Sequence, residues 1–122
     1  MEVSNLIADK SMDFAVRIVN LYKYLKAEKS EYVLSKQLLR SGTSIGANIH
    51  EAVNAQSKAD FITKMYIALK EAGEAEYWLT LLARTDYLTQ QQADNILKDC
   101  IELIKILTTI IKTTKKNSSK KF

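Results

Sequence analysis

Few residues in this chain are of the types that do covalent or metal chemistry, and their spacing argues against such roles. There is one histidine, His50, and one cysteine, Cys100. Di-iron carboxylate sites in helical bundles need two Glu-x-x-His pairs and two further glutamates. The residue three positions before His50 is Ala47, so not even one pair exists. A single histidine also removes most His-based zinc sets. Glu51 makes no acid–base pair with His50, because adjacent helical residues point about 100° apart. Cys100 falls among Ile96, Leu97 and Ile104, the setting of a small buried hydrophobe rather than of a thiolate nucleophile. Glu71-x-x-Glu74 is a carboxylate pair at helical spacing, but Lys70 precedes Glu74 by four and favours a solvated or structural pair. Gly42 and Gly46 lack the Gly-Lys-Ser/Thr sequence of a phosphate loop. No catalytic residue, cofactor or metal is expected, and the chain reads as a non-enzyme.

Two polar constellations remain. Gln37, Arg40, Ser41, Ser44, Asn48 and Glu51 recur mostly at three- and four-residue steps, beside an apolar stripe. Glu71 and Glu74 are their candidate partners on the following helix. Such a ladder reads as a satisfied network or a subunit interface, with a nucleic-acid-facing surface as the alternative. The second constellation is electrostatic. The formal net charge is +4, yet residues 112–122 hold Lys112, Lys115, Lys116, Lys120 and Lys121 with no acid. With those five set aside from 18 basic residues, 13 remain against 14 acids. The basic character therefore belongs to the tail, which is either solvated or an electrostatic arm for RNA or DNA. Lysines without arginines supply point charge and little base-specific recognition.

The elements that must position these groups are helices. The composition is 47% apolar and 26% charged, with no proline and three glycines, so a many-stranded β protein lacks its turn residues. No run of 18 apolar residues exists, which excludes a spanning helix and a membrane partner. The N-terminal stretch lacks the basic start, apolar run and cleavage site of a secretory signal, so a cytoplasmic location is expected.

A first helix is expected from about Asp9 to Ala27 on Phe14, Ile18, Leu21, Tyr22 and Leu25, with residues 28–31 as the connection. A second runs from about Glu31 to Ala55 on Leu34, Leu38, Ile45, Ile49 and Ala52. Gly42 and Gly46 lie inside it, each costing about 1 kcal/mol against alanine. They read as close helix packing, a break at Gly42 being the alternative.

Ser57, with Asp60 three residues on, opens a third helix that extends to about Arg84. It has two adjoining apolar faces, one on Phe61, Met65, Ala68, Ala72, Ala75, Leu79 and Leu82. The other carries Ile62, Tyr66, Leu69, Gly73 and Tyr77. So wide an arc suits a central helix or one that faces another subunit. Thr89 and Gln92 open a fourth, with Ala93, Ile96, Leu97, Cys100, Ile101, Ile104, Leu107, Ile110 and Ile111, fading near Thr113. Short connections make neighbours antiparallel. The expected architecture is all-α, an up-down-up-down four-helix bundle over residues 1–113, followed by a basic, disordered tail over 114–122.

The stretches QLLRSGTSIGANIHEA and DFITKMYIALKEAGEAEYWLTLL carry a resemblance. Gln37, Leu38, Arg40, Ser41, Ser44, Ile45, Ala47, Asn48, Ile49 and Glu51, then Phe61, Ala68, Glu71, Glu74 and Leu79, match four-helix-bundle proteins encoded in intervening sequences of bacterial 23S rRNA genes. The chain departs from that pattern at His50 and Ala52, where Ala and Gly are common, and lacks a proline before the second helix. That family is similar to the accessory protein of diversity-generating retroelements, a homopentameric barrel that works with a reverse transcriptase and binds nucleic acid through a basic surface. The resemblance implies a homo-oligomer, a pentamer, with RNA or DNA as partner. The alternative is an adaptor or scaffold bundle that captures a protein partner without binding nucleic acid.

Overall fold

The computed structural model describes residues 2–119. These form four helices and no strand: α1 Glu2–Lys29, α2 Leu34–Val53, α3 Lys58–Arg84 and α4 Gln90–Ser119. Each helix packs on its neighbours in chain order and α4 returns to α1, which closes the expected antiparallel bundle. The core is one cluster containing Ile7, Phe14, Ile18 and Leu25 of α1, Leu38, Ile45 and Ile49 of α2, Met65, Leu79 and Leu82 of α3, and Leu103 and Leu107 of α4. On α4 the expected stripe shifts slightly: Leu103 is buried, while Ile101 is exposed. None of the helices is long and apolar enough, among the described residues, to cross a membrane.

The ends differ from the periodicity. α1 begins at Glu2, not Asp9, because Ile7 extends its buried stripe by two turns. α2 starts at Leu34, three residues later than Glu31, and stops at Val53. α4 continues as helix through Ser119, so residues 114–119 prolong the fourth helix past the expected boundary at Thr113. Two caps follow the sequence pattern. Ser57 Oγ accepts from the Asp60 N–H at 3.0 Å. Thr89 and Gln92 form a reciprocal box, with Thr89 N–H donating to Gln92 Oε1 at 2.9 Å and Gln92 N–H to Thr89 Oγ1 at 3.1 Å.

The turns work without glycine. Asp86 takes the left-handed conformation at φ 67°. Its N–H bonds Ala83 O, and the Tyr87 N–H bonds Leu82 O at 3.0 Å, closing a Schellman motif. Ser30 also takes the left-handed conformation, at φ 51° after α1, where the Glu31 N–H bonds Leu25 O at 3.0 Å.

Glycine is needed instead inside α2, which runs through Gly42 without a break. A Cβ at Gly42 would lie 2.8 and 2.9 Å from Cγ1 and Cγ2 of Ile18, a fully buried side chain branched next to its backbone. At Gly46 the nearest atoms stand at 3.5 Å, ordinary contact, so the close approach of α1 and α2 is concentrated at Gly42. Gly42→Ala should therefore lose about 1 kcal/mol of stability: overpacking of about 1–3 kcal/mol exceeds a propensity gain of about 1 kcal/mol. A double-mutant cycle with Ile18→Ala, read by urea unfolding, should show the two changes compensating. A gain in stability from Gly42→Ala alone would remove the steric argument.

Candidate nucleic-acid interface and inter-helix polar cluster

The ladder on α2 divides into residues that cross to α3 and residues that satisfy themselves. Ser41 Oγ donates to Gln37 O at 3.0 Å, Ser44 Oγ to Arg40 O at 2.6 Å, and Asn48 Nδ2 to Ser44 O at 2.8 Å. These bonds run back one turn along α2, which is how hydroxyl and amide side chains are satisfied in a helix interior. Gln37 is exposed and contributes its carbonyl.

Arg40 crosses. Its guanidinium donates to Glu71 Oε2 at 3.0 Å and also to Glu74 Oε2, which accepts from Trp78 Nε1 at 3.2 Å. Glu71 is buried and Arg40 half exposed. One turn of α3 sets the two carboxylates on one flank, and the planar fork of arginine spans both. The partner of Glu74 is thus Arg40 from α2, not Lys70 of its own helix. Farther along, Lys64 Nζ lies 3.2 Å from Glu51 Oε1, a second α2–α3 bridge.

The arrangement clamps two helices rather than holding a metal, since the guanidinium already fills the cation position between the carboxylates. Among the described residues, no three His, Cys, Asp or Glu side chains converge on one point. Arg40→Ala should cost about 2 kcal/mol, because it leaves the buried Glu71 carboxylate without its counter-charge, moderated by the exposure of Arg40. Arg40→Lys should recover only part of that, since an ammonium does not bridge both carboxylates. Chemical unfolding checks both, and an unchanged midpoint for Arg40→Ala would show the clamp to be energetically idle.

His50 is exposed on the side of α2 that faces α1, and Glu51 turns away to Lys64. Cys100 is buried, and its Sγ–H donates to Ala72 O at 3.3 Å. Burial, with Glu76 adding repulsion, pushes its thiol up to about 12, so it carries no thiolate at neutral pH.

The lysines lie at the other functional candidate, the end of α4. Lys112, Lys115 and Lys116 are exposed and, at steps of three and four, share one helical face. Lys115 Nζ donates to Tyr66 Oη of α3 at 2.6 Å and sits 4.7 Å from the centroid of that ring. Lys120 and Lys121 lie outside the described residues. Sequence reasoning missed this anchoring, as well as the α1–α4 seam. There Arg17 bonds Asp99 at 2.6 Å and Asn95 Oδ1 at 2.5 Å, and Lys10 meets Glu102 at 3.0 Å. It also missed Glu31, which is 6% exposed and whose carboxylate accepts from the N–H groups of Val33, Leu34 and Ser35. A glutamate three residues before a helix, with no Ser, Thr, Asp or Asn at the N-cap, was the available signal.

The geometry can be set beside known proteins. No curated protein matches the chain. It is similar to a solved structure of a protein with unknown function from the S23 ribosomal protein family of Bacteroides thetaiotaomicron VPI-5482. The two are 62% identical, over 90% of this chain and 98% of that one, with a TM-score of 0.89. The family model described as 23S rRNA-intervening sequence protein matches residues 4–109, from the first turns of α1 nearly to the end of the α4 core stripe. On that match the chain belongs to the 23S rRNA-intervening sequence protein family.

Proposed function

We propose that the protein is a non-enzymatic, oligomeric bundle that binds RNA or DNA by charge through the lysine-rich end of α4. The observation that carries this reading is the placement of charge. Five lysines and no acid occupy residues 112–122, while the rest of the chain holds slightly more acidic than basic residues. Helical backbone through Ser119 keeps Lys112, Lys115 and Lys116 within an arc of about 100° on α4 instead of scattering them on a coil. Such an arc neutralises phosphates without reading bases. The family name and the ribosomal name of the structural relative both belong to a nucleic-acid setting, which supports the reading by association. An oligomer would multiply the arms on one particle and raise avidity without new contacts.

Exposed apolar side chains such as Met12 and Val16 on α1 and Tyr77 on α3 favour the second reading, an adaptor bundle that captures a protein. A salt-titrated binding assay with structured RNA and duplex DNA separates the two. The comparison is the full chain against a variant with all five lysines changed to glutamine. Salt-sensitive binding lost in the variant supports the arm; no binding by either protein at low salt moves the function to the adaptor.

A further inference from the structure

The loosest seam of the bundle is α1 against α4. Beside the α3–α4 turn it opens into a cleft of about 530 Å³, within the range of about 300–1,000 Å³ usual for small-molecule sites. Leu21 of α1, Leu88 of the turn and Ile96 of α4 are buried and form its apolar floor. Tyr24, half-buried, is the one aromatic side chain among the lining residues.

The polar groups on this cleft are mostly amides, and two of them have a fixed sense. Arg17 Nη2 donates to Asn95 Oδ1 at 2.5 Å, and the Thr89 N–H donates to Gln92 Oε1 at 2.9 Å. A guanidinium and a backbone N–H can only donate, so each bond decides which end of the amide is oxygen. What remains for the cleft is the amino group of each, and neither has a partner among the described residues. The two side chains are three residues apart on α4 and so share one side of it. The charge of Arg17 is already answered by Asp99 Oδ2 at 2.6 Å. The cleft therefore offers donors without net positive charge, which suits a neutral acceptor and leaves a carboxylate or phosphate without a counter-charge.

We infer that this cleft binds a guanine base. Guanine is flat and carries two adjacent acceptors, N7 and O6, on one edge. On the same edge adenine and cytosine each present a donor, and uracil has a single acceptor. Asn95 Nδ2 and Gln92 Nε2 donate to N7 and O6, while the rings cover the apolar floor and stack on Tyr24. The inference goes beyond the charge reading of the lysine arm and does not depend on it, since the arm meets phosphates and the cleft reads a base. The base arrives either as a free nucleotide or as an unpaired residue of an RNA strand.

The test is equilibrium dialysis on the full chain in about 0.5 M salt, which screens the lysine arm. The probes are the four ribonucleoside monophosphates, and a short oligoadenylate with and without one central guanine. Guanine should be preferred at least about tenfold. Preference seen with guanylate itself makes the occupant a free nucleotide; preference confined to the guanine-bearing strand makes it an unpaired base. Asn95→Asp and Gln92→Glu each keep the oxygen that Arg17 or Thr89 bonds and exchange the amino group for an acceptor. Each should lower guanine affinity about tenfold while leaving Tm essentially unchanged, a split that a merely structural amide does not produce. No guanine preference in nucleotides or strands, or undiminished binding in both variants, would overturn the assignment. Binding of octanoate in place of any nucleotide would also overturn it and give the cleft to an apolar acid. The lysine arm stands or falls separately, on its own salt dependence.

Discussion

Replacing Glu31 with alanine is expected to lower the unfolding free energy by about 3 kcal/mol, the largest effect of any single polar substitution in the bundle. The carboxylate takes the N–H groups of Val33 at 3.1 Å, Leu34 at 3.0 Å and Ser35 at 2.6 Å, donors that open α2 and have no partner within it. Ser35 Oγ closes the arrangement by donating to Glu31 O at 3.0 Å. Removing the acceptor leaves these donors to find water in a place where Glu31 and Ser35 are both buried.

The same site has a pH signature. Burial pushes the Glu31 carboxyl up, but the backbone N–H groups of Ser35, Leu34 and Val33 outweigh it and leave the pKa below its ordinary 4.5. A folded pKa below the unfolded one adds stability that is complete above about pH 4.5 and is lost as pH falls through the folded value. Urea unfolding from pH 6 to about pH 2 should show this loss in the wild type and a flatter profile in Glu31→Gln, whose amide oxygen accepts without titrating. Equal acid slopes in the two proteins would mean that the carboxylate is not the group whose protonation weakens the start of α2.

The second large effect concerns binding. If all five tail lysines of a chain neutralise duplex phosphates, the slope of log affinity against log salt should be about −4.5. Affinity would then fall about 500-fold between 50 and 200 mM salt. Engagement of the three described lysines alone would give a slope of about −2.7, so the slope counts the residues in contact. Glutamine at 112, 115, 116, 120 and 121 preserves helix propensity and removes the charge, and should bring the slope close to zero. Lys115→Gln alone should also release Tyr66, because that lysine is shared between the arm and the α3 ring. A slope as steep in the five-lysine variant as in the wild type would place the nucleic-acid contact elsewhere on the bundle.

Much of the frame was legible in local pattern. Phe14, Ile18, Leu21 and Leu25 are spaced for one buried face, and they are buried. Ser57 with Asp60 and Thr89 with Gln92 are caps whose bonds span three residues, so neighbouring residues suffice to specify them. The α2–α3 pairing of Arg40 with Glu71 and Glu74 was a conditional expectation, legible as complementary charge but not as geometry. The first two turns of α1 are not legible in the pattern, because polar Ser4, Asn5 and Asp9 interrupt the apolar signal. Only the neighbouring helices make Ile7 a core residue.

Four amphipathic helices, their order, two of their caps and the loading of charge at the C-terminal end are all encoded locally along the chain. These follow from periodicity and composition, which are properties of residues a few positions apart. Tertiary structure alone decided which small residue matters. Gly42 faces Ile18 at a distance that forbids a Cβ, Gly46 does not, and Gly73 faces nothing. It also decided that Glu31 caps a helix it precedes, and that Lys115 reaches back 49 residues to Tyr66. The reason is physical: periodicity says which face of a helix is buried, but the distance between two backbones is set by how their side chains interlock across the gap.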